Sequence, residues 1–215
     1  MALGGQLGGQ PCPPAGTVHA VFVSDLRHFV DMPDDAPGPA KRIAHQLASL
    51  VRAATAGPAS DAWVTAIPCR RRPGRRPCPG HIAVRRDDTD GEIWWRCVSC
   101  GDDGVIRGWE ETWCDLRRRR PAALPELHPV RVDEQVASTL RDVLILDSDL
   151  ERLVYRARGT EEGIELLASA DELDELVGFV AAEANHEPNR LRQKRLDEAF
   201  AALGDALREL DRRGR

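Results

Sequence analysis

The chain has 215 residues, 42% hydrophobic and 30% charged, with a formal net charge of −5. That length allows one or two domains with cores of their own, and the balance is that of a globular protein rather than a disordered or membrane chain. No run approaches the ~18 consecutive apolar residues of a spanning helix, and residues 1–18 lack the basic start and apolar stretch of a secretory signal. A cytoplasmic protein with no membrane partner is expected.

Residues 1–17, rich in Gly, Pro and Gln, read as a disordered tail. A short strand is predicted over 18–23, with Ser24 and Asp25 capping a brief helical turn through Leu26 and Phe29. After Pro33, Pro37 and Pro39, the spacing of Ile43, Leu47, Leu50, Val51 and Ala54 predicts an amphipathic helix that stops at Gly57-Pro58. From Trp63 to Trp109 the pattern changes to short β-prone runs at 63–67, 81–86, 92–97 and 105–108, reversed at Asp90-Gly91 and at 101–104. Arg117 to Arg120, followed by Pro121, Pro125 and Pro129, read as a linker. Beyond it we expect a strand at 130–132, a helix capped by Asp133 through Val136, Leu140 and Leu144, and strands at 153–157 and 164–167. Ser169 and Glu172 have capping-box spacing for a helix through Leu173, Leu176, Val177 and Val180. A break at Glu187-Pro188 then precedes a last helix carrying Leu191, Leu196, Phe200, Leu203, Leu207 and Leu210.

The predicted class is α+β. A small antiparallel β unit (63–116) is inserted between an N-terminal strand and amphipathic helix (18–62) and a C-terminal helix–strand–strand–helix–helix region (130–215), with 117–129 as linker.

Charge is unevenly distributed. Residues 1–62 hold 4 basic and 5 acidic side chains, residues 63–120 hold 13 and 9, and residues 121–215 hold 13 and 21. The middle is basic and the end acidic. All but Lys41 and Lys194 of the 30 basic residues are arginines, a bias that a GC-rich genome produces as readily as selection for guanidinium chemistry.

Six cysteines stand at 12, 69, 78, 97, 100 and 114. Clustering of this kind in a reducing compartment points to metal before disulfide. Cys97-Val-Ser-Cys100-Gly101 is the strongest local signal. Two thiolates at that spacing face one ion because the turn between them folds back, and Gly101 tolerates the positive φ such a turn needs. The other half, Cys69 and Cys78, has eight residues between its sulfurs and a Pro73-Gly74 turn to close them. An alternative quartet replaces Cys69 with His81, since Cys78-Pro-Gly-His81 has regular ligand spacing; the bland reading of His81 is a half-exposed strand residue. Thiolate ligands select zinc, or less readily iron, and four protein ligands make a structural site. Cys12 and Cys114 read as free thiols.

The segment 69–109 resembles the zinc ribbons, small β units widespread in transcription, translation and nucleic-acid processing. The resemblance rests on Cys97-x2-Cys100-Gly101 and implies a structural Zn2+; ribbons serve many functions, so the resemblance alone does not choose a partner. Segments 24–31 and 181–190 resemble uncharacterised bacterial proteins with no assigned activity.

Arg70, Arg71, Arg72, Arg75 and Arg76 put five guanidiniums between the first two cysteines, with Arg85, Arg86 and Arg96 on the following strands. Arginine suits phosphates and base edges. It equally offsets the net −2 of four thiolates around a divalent ion, which needs no partner. Strand alternation sets Trp94 beside Arg96 and opposite Ile93, Trp95 and Cys97. There it can stack a base, anchor a protein, or simply cover the Ile43–Leu47–Val51 helix face. The sequence contains no phosphate-binding Gly loop, Gly-x-Ser-x-Gly elbow or His-Glu-x-x-His pair, and Glu183-x-x-His186 reads as a surface pair, so neither an enzyme nor a small-molecule substrate is expected. Two roles remain: a nucleic-acid-associated regulator whose acidic C-terminal helices bind a protein or self-associate, and an adaptor or antitoxin-like partner in which the ribbon is only a scaffold.

Overall fold

The computed structural model describes residues 22–33, 35–59, 61–117, 126–143 and 148–213. The expected tail at 1–17, Cys12, Leu144 and most of the 117–129 linker lie outside these residues.

The architecture is α+β, with helices flanking one mixed sheet. Strand β1 (Phe22–Asp25) takes Ser24 and Asp25 into the sheet, and at the start of α1 (Arg27–Val30) Asp25 Oδ1 accepts from the Arg27 amide at 3.0 Å. Helix α2 (Gly38–Ala56) ends at Gly57, where any Cβ would strike the Trp63 ring. Then come β2 (Trp63–Pro68), β3 (His81–Asp87), β4 (Glu92–Cys97) and β5 (Asp103–Arg107). Their antiparallel ladder β2–β3–β4–β5 turns tightly at Gly91, whose φ of 64° suits glycine. β1 adds to the outer edge, parallel to β5.

The C-terminal region comprises β6 (His128–Val132), α3 (Glu134–Arg141), α4 (Ser148–Tyr155), β7 (Arg158–Thr160), β8 (Gly163–Ala168), α5 (Ala170–His186) and α6 (Arg190–Arg213). Asp133 caps α3 by accepting from the Val136 amide at 2.7 Å, and the Ser169–Glu172 capping box forms at the start of α5. The strand expected at 153–157 is instead the end of α4. Leu150, Leu153 and Val154 are all buried at i, i+3, i+4 spacing, which only a helix can aim at one core.

The sheet runs continuously in the order β1-β5-β4-β3-β2-β7-β8-β6. β7 joins β2 through the single register pair Thr65↔Arg158, so the cysteine-bearing strands and the C-terminal strands share one sheet. Two cores result. In one, Leu47, Leu50, Val51 and Ala54 of α2 pack on Ile82, Val84, Ile93 and Ile106, with Trp109 fully buried. In the other, Leu140, Leu150, Leu153, Leu166, Leu173 and Leu203 close the helices over β6 and β8. At their seam the Arg52 guanidinium lies 4.6 Å from the Trp113 ring centroid and 5.3 Å from that of Tyr155, and pairs with Glu151 at 3.1 Å. Among the described residues, no helix is long and apolar enough to cross a membrane.

Candidate metal centre

Cys97 ends β4, and the turn that follows it is held by the Gly101 amide, which donates to the Cys97 carbonyl at 3.2 Å; Gly101 has a φ of 73°. Across from it, the chain between β2 and β3 closes on itself. The Cys69 amide donates to the Gly80 carbonyl at 2.7 Å and the Cys78 amide to the Arg71 carbonyl at 2.9 Å. Residues 69–71 and 78–80 therefore form a miniature hairpin. The intervening residues are taken up by a 3₁₀ turn, Pro73–Arg75, in which Gly74 and Arg75 have φ of 61° and 66°. The long Cys69–Cys78 spacing is the loop of that hairpin rather than an irregular ligand pair.

The geometry repeats at three of the four sulfurs. The amide two residues on points back at each: Arg71 to Cys69 Sγ at 3.4 Å, Gly80 to Cys78 Sγ at 3.5 Å and Ser99 to Cys97 Sγ at 3.4 Å. Cys97 receives a second amide, from Cys100, at 3.5 Å. Such donors stabilise thiolates. Gly80 is forced by crowding, since a Cβ there would sit 2.4 Å from Ser99 Oγ and 2.8 Å from Cys97 Sγ. Sequence reasoning missed Gly80, Ser99 and the Asp102 carbonyl that accepts from the Cys97 amide at 2.8 Å. The Cys-x-Gly and Cys-x-Ser steps were the available signal.

The four ligand atoms all lie within 4.8 Å of one another, with Cys69–Cys100 at 3.7 Å and Cys78–Cys97 at 3.6 Å. Four sulfurs placed ~2.3 Å from one zinc in a tetrahedron stand ~3.8 Å apart, so the cluster can hold a metal ion with little adjustment. Cys69, Cys78 and Cys97 are buried and Cys100 is exposed. In the metal-free chain, burial pushes the Cys69 thiol up to about 12. Burial also opposes ionisation of Cys97, but the Cys100 and Ser99 amides outweigh it and hold that thiol down to about 7. Metal uptake would therefore expel protons from Cys69 and Cys78, the thiols held above their ordinary value.

His81, the alternative ligand, is directed elsewhere: its Nε2 lies 2.8 Å from Glu134 Oε2 at the start of α3. The expected basic residues divide into two groups. Arg70 donates to the Arg42 carbonyl at 2.6 Å and lies 3.4 Å from His45 Nδ1, so it is tied to α2, while Arg86 is buried, donating to the Ala54 carbonyl and to Asp88. Arg71 stands 3.5 Å from Asp102. Arg72, Arg75, Arg76 and Arg96 are exposed and meet no carboxylate among the described residues. Trp94 is exposed as well. It does not cover α2, which occupies the opposite face with Ile93 and Trp95. Cys114 is buried in the first core, away from the cluster. Glu183 pairs with Arg192 at 2.7 Å.

Comparison of the chain with known family models, with curated proteins and with solved structures returned no match.

Proposed function

We propose that the protein is a nucleic-acid-associated binding protein in which a structural Zn2+, held by Cys69, Cys78, Cys97 and Cys100, fixes the basic end of the sheet. The observation that carries this reading is the set of exposed arginines around the sulfurs, Arg72, Arg75, Arg76 and Arg96, without carboxylate partners among the described residues. A tetrahedron of soft thiolates favours zinc over hard cations, and four protein ligands leave no open position for catalysis. The reading therefore assigns no enzymatic step and no small-molecule substrate. The metal–thiolate centre would carry net −2, which the guanidiniums around it offset in part. Arg72, Arg75, Arg76 and Arg96, exposed beside it, are the groups offered to phosphates.

The adaptor reading has less surface to draw on. Along α6, Leu196, Ala199 and Leu203 are buried in the protein's own core, leaving Leu191 and Phe200 exposed. The same limits self-association through the C-terminal helices.

The test is binding of the zinc-loaded full chain to labelled DNA and RNA oligonucleotides across a salt series. Affinity should fall steeply with salt, and changing Arg72, Arg75 and Arg76 together to Ala should weaken binding and reduce the log–log salt slope by about 2–3. Salt-insensitive binding, or none, together with stoichiometric co-purification of a protein partner, would select the adaptor instead.

A further inference from the structure

The registers define a second feature on the face of the sheet away from α2. Residues directly opposite one another share a face, and Arg85↔Trp94, Trp94↔Val105 and Val23↔Val105 form one row across β3, β4, β5 and β1. The alternate residues Val84, Ile93 and Ile106 are buried with α2, so this row belongs to the open side. Trp94 is 39% exposed and Val23 56%, while Val105 between them is 2% exposed. Part of the indole is thus free in the middle of a surface on which no described helix packs.

Charge changes along this face in one direction. On one side of the Trp94 row stand Asp87 and Glu92, with Arg107 pairing to Glu92 and Asp25 to Arg27, a row whose charges are largely met internally. On the other side, Ala83, Arg96 and Asp103 lie opposite one another. Arg96 is about 7 Å along the strand from Trp94. A Cβ added at Gly101 would lie 3.7 Å from its guanidinium, so Arg96 reaches toward the cysteine turn. Past it opens a groove of about 1010 Å³ lined by Phe22, Arg71, Arg72, Arg96, Asp102 and Asp103 among others. Phe22, whose register partner Gly104 lies opposite Trp95 on the α2 side, is 57% exposed and lines the groove from that side. One carboxylate of the groove, Asp102, is engaged by Arg71.

We propose that this open face binds single-stranded nucleic acid, with a base stacked on Trp94, phosphates on Arg85 and Arg96, and the strand continuing into the groove beside Arg71 and Arg72. The inference rests on the proposed nucleic-acid role and deepens it by naming the strandedness. Contacts from the arginine loop to phosphates would serve a duplex equally well. A flat indole on an open sheet serves only an unpaired base, because the faces of paired bases are already stacked on their neighbours. The spacing of aromatic and guanidinium groups along β4 alternates stacking with charge as a single strand does.

The experiment measures fluorescence anisotropy of the zinc-loaded full chain with a labelled oligothymidylate of about 12 nucleotides and with a duplex of the same length. The single strand should bind more tightly. Trp94→Ala should weaken single-strand binding by at least about five-fold, the lower end of one base–aromatic stack, leave duplex binding unchanged and keep one zinc per chain. Trp94→Phe should retain most of the affinity. If the duplex binds as well as the single strand, or if Trp94→Ala leaves single-strand binding intact, the platform is overturned while the arginine-loop reading stands. Absence of salt-dependent binding to either probe overturns both.

Discussion

The two ends of the sheet are stabilised by different physics. Over β6 and β8 the helices bury Leu140, Leu150, Leu153, Leu173 and Leu203 completely, and no sulfur takes part. At the far end of β3 and β4 the apolar side chains give out beyond Ile82 and Trp95, and Cys69, Cys78 and Cys97 fill their place. Four thiols without an ion are poor core material, because their packing area is small and ionising them in a buried position is costly. With an ion, the same four become the strongest local constraint in the chain. This difference in what holds each end accompanies a difference in what each leaves free: the leucine core leaves Leu191 and Phe200 of α6 outside it, whereas the sulfur centre is ringed by a loop of arginines.

The sharpest way to break the comparison is to remove the metal. Structural zinc in small folded units contributes on the order of 10–16 kcal/mol of apparent binding free energy at neutral pH. Cys78→Ser, or a chelator, should therefore abolish stoichiometric zinc binding. It should also erase hydrogen-exchange protection of the Cys69 and Cys78 amides, which close the miniature hairpin. Amides of α5 and α6 should keep theirs. His81→Ala should retain the metal, since that ring faces Glu134. Loss of zinc in His81→Ala, or simultaneous opening of α5 and α6, would mean that the two ends are not separately stabilised.

A smaller effect should come from the opposite end. Leu203 on α6 is fully buried among Leu173, Leu196 and Val180. Leu203→Ala should cost about 2–5 kcal/mol in denaturant unfolding through the cavity it leaves, with zinc content per chain unchanged. Reduced zinc content in this variant would show that the sheet transmits strain between its ends.

Much of this contrast was legible locally. The Ser169–Glu172 capping box, the Asp133 cap, the extent of β4 and the cysteine quartet all depend on spacings within a few residues, and each has its counterpart in the structure. Strand alternation also placed Trp94 opposite Ile93, Trp95 and Cys97. Two kinds of information were not local. The join of β2 to β7 spans nearly a hundred residues of chain and rests on one register pair, for which no short pattern exists. The fates of Arg70 and Arg86, bonded to carbonyls of α2, depend on where that helix docks. The α4 error had a different origin. Leu153, Val154 and Tyr155 look β-prone alone, and only with Leu150 included does helical spacing emerge.

The smallest expected effect concerns Cys114, the buried thiol outside the metal cluster. Burial raises it from its ordinary 9.0 to about 11, with the Arg52 cation opposing the shift. A folded-state value above the unfolded one means that the unfolded chain gives up this proton first. The associated stability is fully present below pH 9 and is lost as pH climbs toward 11. Cys114→Ala removes that titration, so the stability difference between wild type and variant should shift in favour of the variant between pH 8 and pH 10, by on the order of 1 kcal/mol. A metal held at the four-cysteine cluster would contribute no such difference, because the cluster is common to both proteins. An alkaline slope identical in the two proteins would place its origin at another group and leave Cys114 as inert packing beside Thr55 and Trp109.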